Sequence, residues 1–151
     1  LLFAPATFLF SEELPLGNAE LFVYQVPEGS MHKLTKPPIP QLPATARISS
    51  VSRLLLMTPI RYDKAKLRNR ADLDRLLPGA TRKPLAESVE QKLGIRRLKK
   101  HESAYASFTD ASLVGKKVTS GHWKCVTTGF IRGKNHLINF TQTFHINRGI
   151  S

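Results

Sequence analysis

The sequence predicts an α+β fold. An antiparallel β-sheet with a C-terminal β-hairpin is packed on one face by one or two helices. An extended, proline-rich N-terminal region precedes it. Three observations predict it. Apolar and polar residues alternate near the C-terminus, apolar residues recur at helical spacing in the middle, and prolines cluster near residue 40. The chain has 151 residues, 41% of them hydrophobic, which is the size and composition of a single domain.

The domain is predicted to have two parts. Residues 1–46 form an extended N-terminal segment with short strands and a proline-rich connector, and residues 47–151 form the compact α+β part. Residues 8–10 and 21–26 are rich in β-forming types and are separated by turn-forming residues, so each is predicted to be a short strand.

The proline-rich stretch covers residues 36–43 and contains two PxxP spacings. Proline fixes φ and lacks a backbone N–H, which favours a polyproline II conformation over a place inside a sheet. A stiff connector along the surface is the main interpretation, and an SH3-type ligand is the alternative. The apolar run of residues 1–10 is too short to span a bilayer, and no membrane span is predicted.

Two helices are predicted in the middle of the chain. Residues 72–77 form a short helix that Pro78 ends. Residues 84–93 form the stronger one, with Pro84 in the first turn and Gly94 as the cap residue after the last. Its apolar stripe, with one residue every four positions, is formed by Leu85, Val89 and Leu93.

Two further strands flank these helices. The four consecutive apolar residues 54–57 predict a strand buried on both faces, with a short helix as the alternative. Residues 103–108 are predicted to form a strand that leads toward the C-terminal hairpin.

The C-terminal hairpin is predicted to turn at Lys134 and Asn135, which pairs Gly133 with His136. One face then becomes mostly apolar and the other mostly polar, and a shift of one residue would mix the two. The helix is predicted to pack on the apolar face, and the polar face is predicted to be solvated. The apolar face comprises Trp123, Cys125, Thr127, Gly129 and Ile131 together with Ile138, Phe140, Gln142, Phe144 and Ile146.

Charge is the strongest functional signal. The net charge is +12, and residues 61–100 hold thirteen basic and five acidic residues. A positive field of this size attracts anionic partners. Because Tyr62 is the only aromatic residue among these cations and base-reading motifs are missing, contact with a phosphate backbone is favoured over the reading of bases. The residues predicted to contact an anionic partner are Arg61, Lys64, Lys66, Arg68, Arg70, Arg96, Arg97, Lys99 and Lys100.

Catalytic and metal-binding signatures are missing from the sequence. It contains no phosphate-binding, nucleophile-elbow or zinc-protease motif, so no catalytic residue, cofactor or metal site is predicted and the protein is not expected to be an enzyme. His122 and His145 are expected diagonally on the polar face of the hairpin, beside Lys124, which disfavours a cation. Cys125 is expected to point inward and behave as a small apolar residue.

The function predicted from these features is that of a non-catalytic binding or structural subunit of a larger assembly, whose basic surface contacts an acidic protein or a nucleic-acid backbone. The alternative is an exported or cell-envelope domain that binds a ligand or protein on its sheet. The sequence assigns no small-molecule ligand. Because the chain begins at Leu1, a processed form or fragment is expected, and an organellar or cell-envelope location is favoured over others.

Overall fold

The computed structural model describes residues 8–17, 19–64, 66–118 and 122–145. A two-stranded antiparallel sheet contains β1 (Phe8–Gly17) and β2 (Glu20–Pro27). A six-stranded antiparallel sheet in the order β3-β4-β5-β8-β7-β6 contains β3 (Met31–Thr35), β4 (Thr45–Ser49), β5 (Arg53–Arg61), β6 (Ser103–Thr109), β7 (Cys125–Arg132) and β8 (His136–Phe144). One α-helix, α1 (Arg70–Ala86), connects β5 to β6, and a 3-10 helix (Ala111–Leu113) follows β6. The predicted α+β class is therefore confirmed.

The two N-terminal strands form a hairpin that is longer than predicted. The side chains of Leu14, Leu16, Tyr24 and Val26 are buried and pack against the six-stranded sheet. Their partners in this first core are Ala46, Ile48, Met57, Ile131, Ile138 and Phe140. The alternation of buried and exposed residues along β2 reflects this packing, because neighbouring side chains of a strand point to opposite faces. The proline-rich stretch after β3 lies outside any strand, as predicted.

The register of the C-terminal hairpin is confirmed. Cys125 pairs with Phe144 and Arg132 with Leu137, and the N–H of Gly133 donates to the carbonyl of His136 at 2.8 Å. The predicted pair of Trp123 with Ile146 lies outside the described residues. Phe140 lies opposite Gly129, as expected for aromatic cover of a strand glycine.

The prediction of one solvated hairpin face is wrong, because the centre of the hairpin is covered on both sides. The β1–β2 hairpin covers the face that holds Ile131 and Ile138. The helix packs on the opposite face, where Phe130 and Leu137 are buried. The sequence pattern showed which residues share a face, but the choice of covering element depends on segments far away in the chain.

The two predicted helices are replaced by one helix that continues through Pro78 and ends before Val89. Its N-terminus is capped by Asn69 and Asp72, whose side chains and backbone N–H groups bond reciprocally. The buried stripe lies earlier than predicted and consists of Leu73, Leu77 and Thr81. Leu73 and Leu77 belong to a second core together with Ala104, Ala106, Phe108, Phe130 and Leu137.

Burial explains why Pro78 does not end the helix. A proline inside a helix costs about 3 kcal/mol, whereas full burial of one leucine side chain contributes about 1.5–3 kcal/mol. Leu73 and Leu77 precede Pro78 and Thr81 follows it, and all three side chains are 0% exposed. Stopping the helix at residue 77 would remove the next turn, in which Thr81 is buried and its Oγ1 donates to the carbonyl of Leu77 at 2.7 Å.

The predicted strand at residues 54–57 is part of β5, but Leu54 and Leu56 are only half-buried. The helix packs on β6 and β7, so it does not cover the part of the sheet that contains Leu54 and Leu56. Pro59 is tolerated inside β5 because pairing with β4 ends at Met57. Within the described residues, no helix has the length and apolar character needed to cross a membrane.

Candidate functional site

Strand order brings three basic segments to one end of the six-stranded sheet. Arg61, the last residue of β5, pairs with His136, the first of β8. Arg132 ends β7 and Ser103 begins β6, where it pairs with Ile131. The chain segments that leave or enter these strands therefore meet at the same end of the sheet. We call it the basic end, and its cations are Arg61, Lys64, Lys66, Arg68, Arg70, Arg96, Arg97, Lys99, Lys100, Arg132 and Lys134.

An ion pair joins two of these segments. Nη2 of Arg97 lies 2.7 Å from Oδ2 of Asp74, and Nη1 of the same guanidinium donates to the carbonyl of Ser103 at 3.0 Å. The hydrogen bond to Asp74 raises the pKa of Arg97 above its usual value. Asp74 lies one helical turn, about 6 Å, beyond Arg70. Arg97 therefore anchors residues 96–100 beside the start of the helix.

All nine cations predicted from the sequence are exposed. The sequence analysis missed Arg132 and Lys134, which the β7–β8 turn adds to the same end. Arg132 is 3.3 Å from a carboxylate oxygen of Glu102, and its guanidinium lies 6.0 Å from the ring centroid of Tyr62. The sequence did place Arg132 and Lys134 beside the predicted turn. Their proximity to Arg61 could not be predicted, because it depends on the pairing of β5 with β8.

The carboxylates at the basic end are used mainly for internal contacts. Asp72 accepts the backbone N–H groups of Arg68 and Asn69. The hydrogen bond from Arg68 is the main reason that the pKa of Asp72 is lowered. With Asp74 held by Arg97 and Glu102 by Arg132, the side chains that extend into solvent here are predominantly cationic.

A second candidate site is a cavity of about 500 Å³ between the β1–β2 hairpin and the six-stranded sheet. The exposed area of its walls is mainly apolar, and Gln142 is a buried polar residue of its floor. We call it the hairpin cavity, and its lining consists of Gln25, Pro27, Glu28, Ser30, Ile48, Ser50, Ser52, Arg53, Leu55, Met57, Leu98, Ile131, Phe140 and Gln142.

The histidines and the cysteine were the other candidate residues for chemistry. Trp123 was predicted on the opposite face from His145, but their rings stack at 4.4 Å, because the β7–β8 ladder begins at Cys125 and alternation no longer applies before it. The part of the chain that the structure describes holds no group of three metal-ligating side chains. Cys125 is half-buried, and burial raises the pKa of its thiol, which disfavours the reactive thiolate.

Comparisons of this chain with protein-family models, with curated proteins and with solved structures found no match, so its function is argued from these two sites alone.

Proposed function

We propose that the protein is a non-catalytic binding subunit of a larger assembly and that the basic end contacts a negatively charged surface of its partner, either an acidic protein or a nucleic-acid backbone. One observation carries the proposal: three chain segments, separated in sequence, place exposed cations at one end of the sheet. A solvated surface of ordinary composition would distribute such charges over the molecule.

The cations of the basic end are close enough to act jointly. The strands β5, β8, β7 and β6 are neighbours, and adjacent strands lie about 4.8 Å apart, so their ends span about 15 Å. The Debye length at physiological ionic strength is about 8 Å, so neighbouring segments contribute to a common field. Such a field speeds encounter with an anionic partner and raises its local concentration.

The surroundings of Tyr62 support contact through charge and not through stacked bases. Its hydroxyl donates to the carbonyl of Gly133 at 3.2 Å, and the guanidinium of Arg132 lies over its ring. An aromatic ring held by these contacts is poorly placed to stack on a nucleic-acid base. We therefore expect little preference among nucleic-acid sequences.

The experiment compares two variants with the same change of net charge. In the first, four exposed lysines of the basic end are replaced by glutamine: Lys64, Lys66, Lys99 and Lys100. In the matched control, four exposed lysines outside the basic end are replaced in the same way: Lys83, Lys92, Lys116 and Lys117. Both variants and the original protein are titrated with heparin, single-stranded DNA and polyglutamate at several salt concentrations.

We expect the basic-end variant to bind at least one polyanion more weakly and with a flatter dependence on salt. Each phosphate contact contributes about 0.7–0.9 to the slope of log K against log salt, so loss of four contacts would flatten the slope by roughly 3. The control should bind like the original protein. Equal weakening in both variants, or no binding of the original protein to any of the three polyanions near physiological salt, would contradict the proposal.

A second candidate function is that of an exported or cell-envelope domain that binds a ligand on its sheet. The hairpin cavity favours it, because the cavity lies directly on β4, β5, β7 and β8.

A further inference from the structure

We infer that the hairpin cavity binds a small, neutral and mainly apolar molecule that carries one amide-type group and hydrogen-bonds to Gln142. This inference rests on the second candidate function, a ligand bound on the sheet, and is independent of the basic end. Small-molecule sites are typically apolar clefts of about 300–1,000 Å³ with few polar groups, and the hairpin cavity of about 500 Å³ has this size and character.

The cavity has a rigid floor and a separate roof. Ile48, Leu55, Met57, Ile131 and Phe140 line it from the strands of the six-stranded sheet. The hairpin supplies the opposite wall through residues of β2 and the turn after it. Ile131 and Phe140 are neighbours in the first core, so the floor is held by the same packing that stabilises the sheet.

Gln142 is the residue that identifies the ligand class. It is only 8% exposed, and its backbone is fixed between Leu55 on β5 and Thr127 on β7. Its carboxamide makes no hydrogen bond to another described residue, and neither of its polar atoms is among the fully enclosed atoms that lack a partner, so the carboxamide is reached from the cavity. The adjacent buried Thr127 does have one, since its Oγ1 lies 2.8 Å from Oγ of Ser107.

A ligand that covers this carboxamide has to offer it hydrogen bonds, because a polar group that is shielded from water without a partner is unfavourable. A carboxamide is both a donor and an acceptor. A ligand amide, which offers a carbonyl oxygen and an N–H, would satisfy both functions at once. A carboxylate offers acceptors only, and the two charged residues of the lining, Glu28 and Arg53, have opposite signs, so the lining has no net charge that would favour an ion and a neutral ligand is favoured.

The test uses octanamide as the probe and octanoate as its charged counterpart. Binding is followed by NMR of side-chain methyl groups, which also locates the probe. We expect octanamide to shift the methyl resonances of Ile48, Met57 and Ile131 and to leave those of Leu73 and Leu77, in the helix-side core, unchanged. Octanoate should bind more weakly. Tighter binding of octanoate, or shifts in the helix-side core alone, would overturn the inference.

Two substitutions test the role of the cavity residues. Gln142→Leu should weaken octanamide binding about tenfold, which is the effect of losing about 1.4 kcal/mol. The thermal midpoint should change little, because the carboxamide makes no hydrogen bond to another described residue. Leu55→Trp should block the cavity and abolish binding. Leu54→Trp is its control, since Leu54 is adjacent on β5 and does not line the cavity.

Unchanged octanamide affinity in both Gln142→Leu and Leu55→Trp would overturn the inference. The four-lysine variant of the basic end should bind octanamide like the original protein. If the cavity does not bind octanamide, the proposal that the basic end binds a polyanion is unaffected. If the basic end does not bind a polyanion, the inference about the cavity is unaffected.

Discussion

Oε2 of Glu20 lies 2.9 Å from Nδ1 of His136, although 116 residues separate them in the sequence. The same carboxylate accepts the backbone N–H groups of Lys134 at 2.7 Å and Asn135 at 3.0 Å. Glu20 begins β2, and its three partners form the β7–β8 turn and the start of β8. One carboxylate thus attaches the N-terminal hairpin to the six-stranded sheet.

Glu20→Gln should loosen this attachment. Burial alone would raise the pKa of Glu20, but the hydrogen bonds from His136, Lys134 and Asn135 outweigh it and hold the pKa below its ordinary value. The charged form is therefore stabilised by folding. Its contribution is present above the unfolded pKa and is lost as pH falls through the lower folded pKa. We expect a loss of about 1–3 kcal/mol in the free energy of unfolding at neutral pH, because a glutamine offers one acceptor oxygen in place of two.

Urea denaturation at several pH values checks this prediction. The difference between Glu20→Gln and the original protein should shrink as pH falls through the lowered pKa of Glu20, where the carboxylate becomes protonated. Glu28→Gln is a suitable control, because Glu28 is exposed in the turn after β2. A difference that stays constant down to acid pH would show that the carboxylate charge plays no part.

Leu77→Ala and Val89→Ala test the observed position of the helix against the predicted one. Leu77 is 0% exposed in the second core, so its truncation should cost about 2–5 kcal/mol. Val89, which the sequence placed on the buried stripe, is 48% exposed beyond the helix, so its truncation should cost less than about 1 kcal/mol. Denaturant unfolding measures both, and a larger loss for Val89→Ala would favour the helix over residues 84–93.

Gly129→Ala should destabilise the sheet, because an added Cβ would lie 2.3 Å from the carbonyl oxygen of Ala104 and 2.4 Å from Cβ of Tyr105. The backbone of β6 would have to move, at a cost of about 3 kcal/mol. Gly79→Ala is the matched comparison. It lies inside the helix with nothing within 4 Å of an added Cβ, so it should stabilise by about 0.5–1 kcal/mol. Thermal unfolding of both variants measures this, and similar midpoints would contradict the close approach of β6 to β7.

Tyr24 should titrate at unusually high pH. Burial, together with the negative charge of Glu12, raises the pKa of its phenol to about 12. The neutral phenol is favoured by folding, so its contribution to stability is present below the unfolded pKa and is lost as pH rises through about 12. Ultraviolet difference spectra should show a tyrosine step near that pH that is missing in Tyr24→Phe and retained in Tyr62→Phe. A spectrum of Tyr24→Phe identical to that of the original protein would contradict the assignment, and circular dichroism reports whether the fold persists there.

Local patterns predicted some elements correctly because the information lies within a few residues. The turn at Lys134 and Asn135, together with the alternation of the two flanking strands, was sufficient to predict the register of the C-terminal hairpin. The helix was different. Pro78 is a strong local signal for a helix end, but its effect was outweighed by packing of the turns that follow it, in which Thr81 is buried and Leu85 packs against a core whose strands come later in the chain.

The sequence was enough to identify the α+β class, the hairpin register and the nine exposed cations, since each depends on composition or on contacts between neighbouring residues. The tertiary structure alone decided that these cations meet Arg132 and Lys134 at one end, and that Gln142 lines the hairpin cavity. Both features arise from the strand order β3-β4-β5-β8-β7-β6 and from the hairpin laid over it. That strand order brings together segments that are far apart in the chain. It is stabilised by the burial of side chains from those distant segments against one another, which short sequence patterns do not encode.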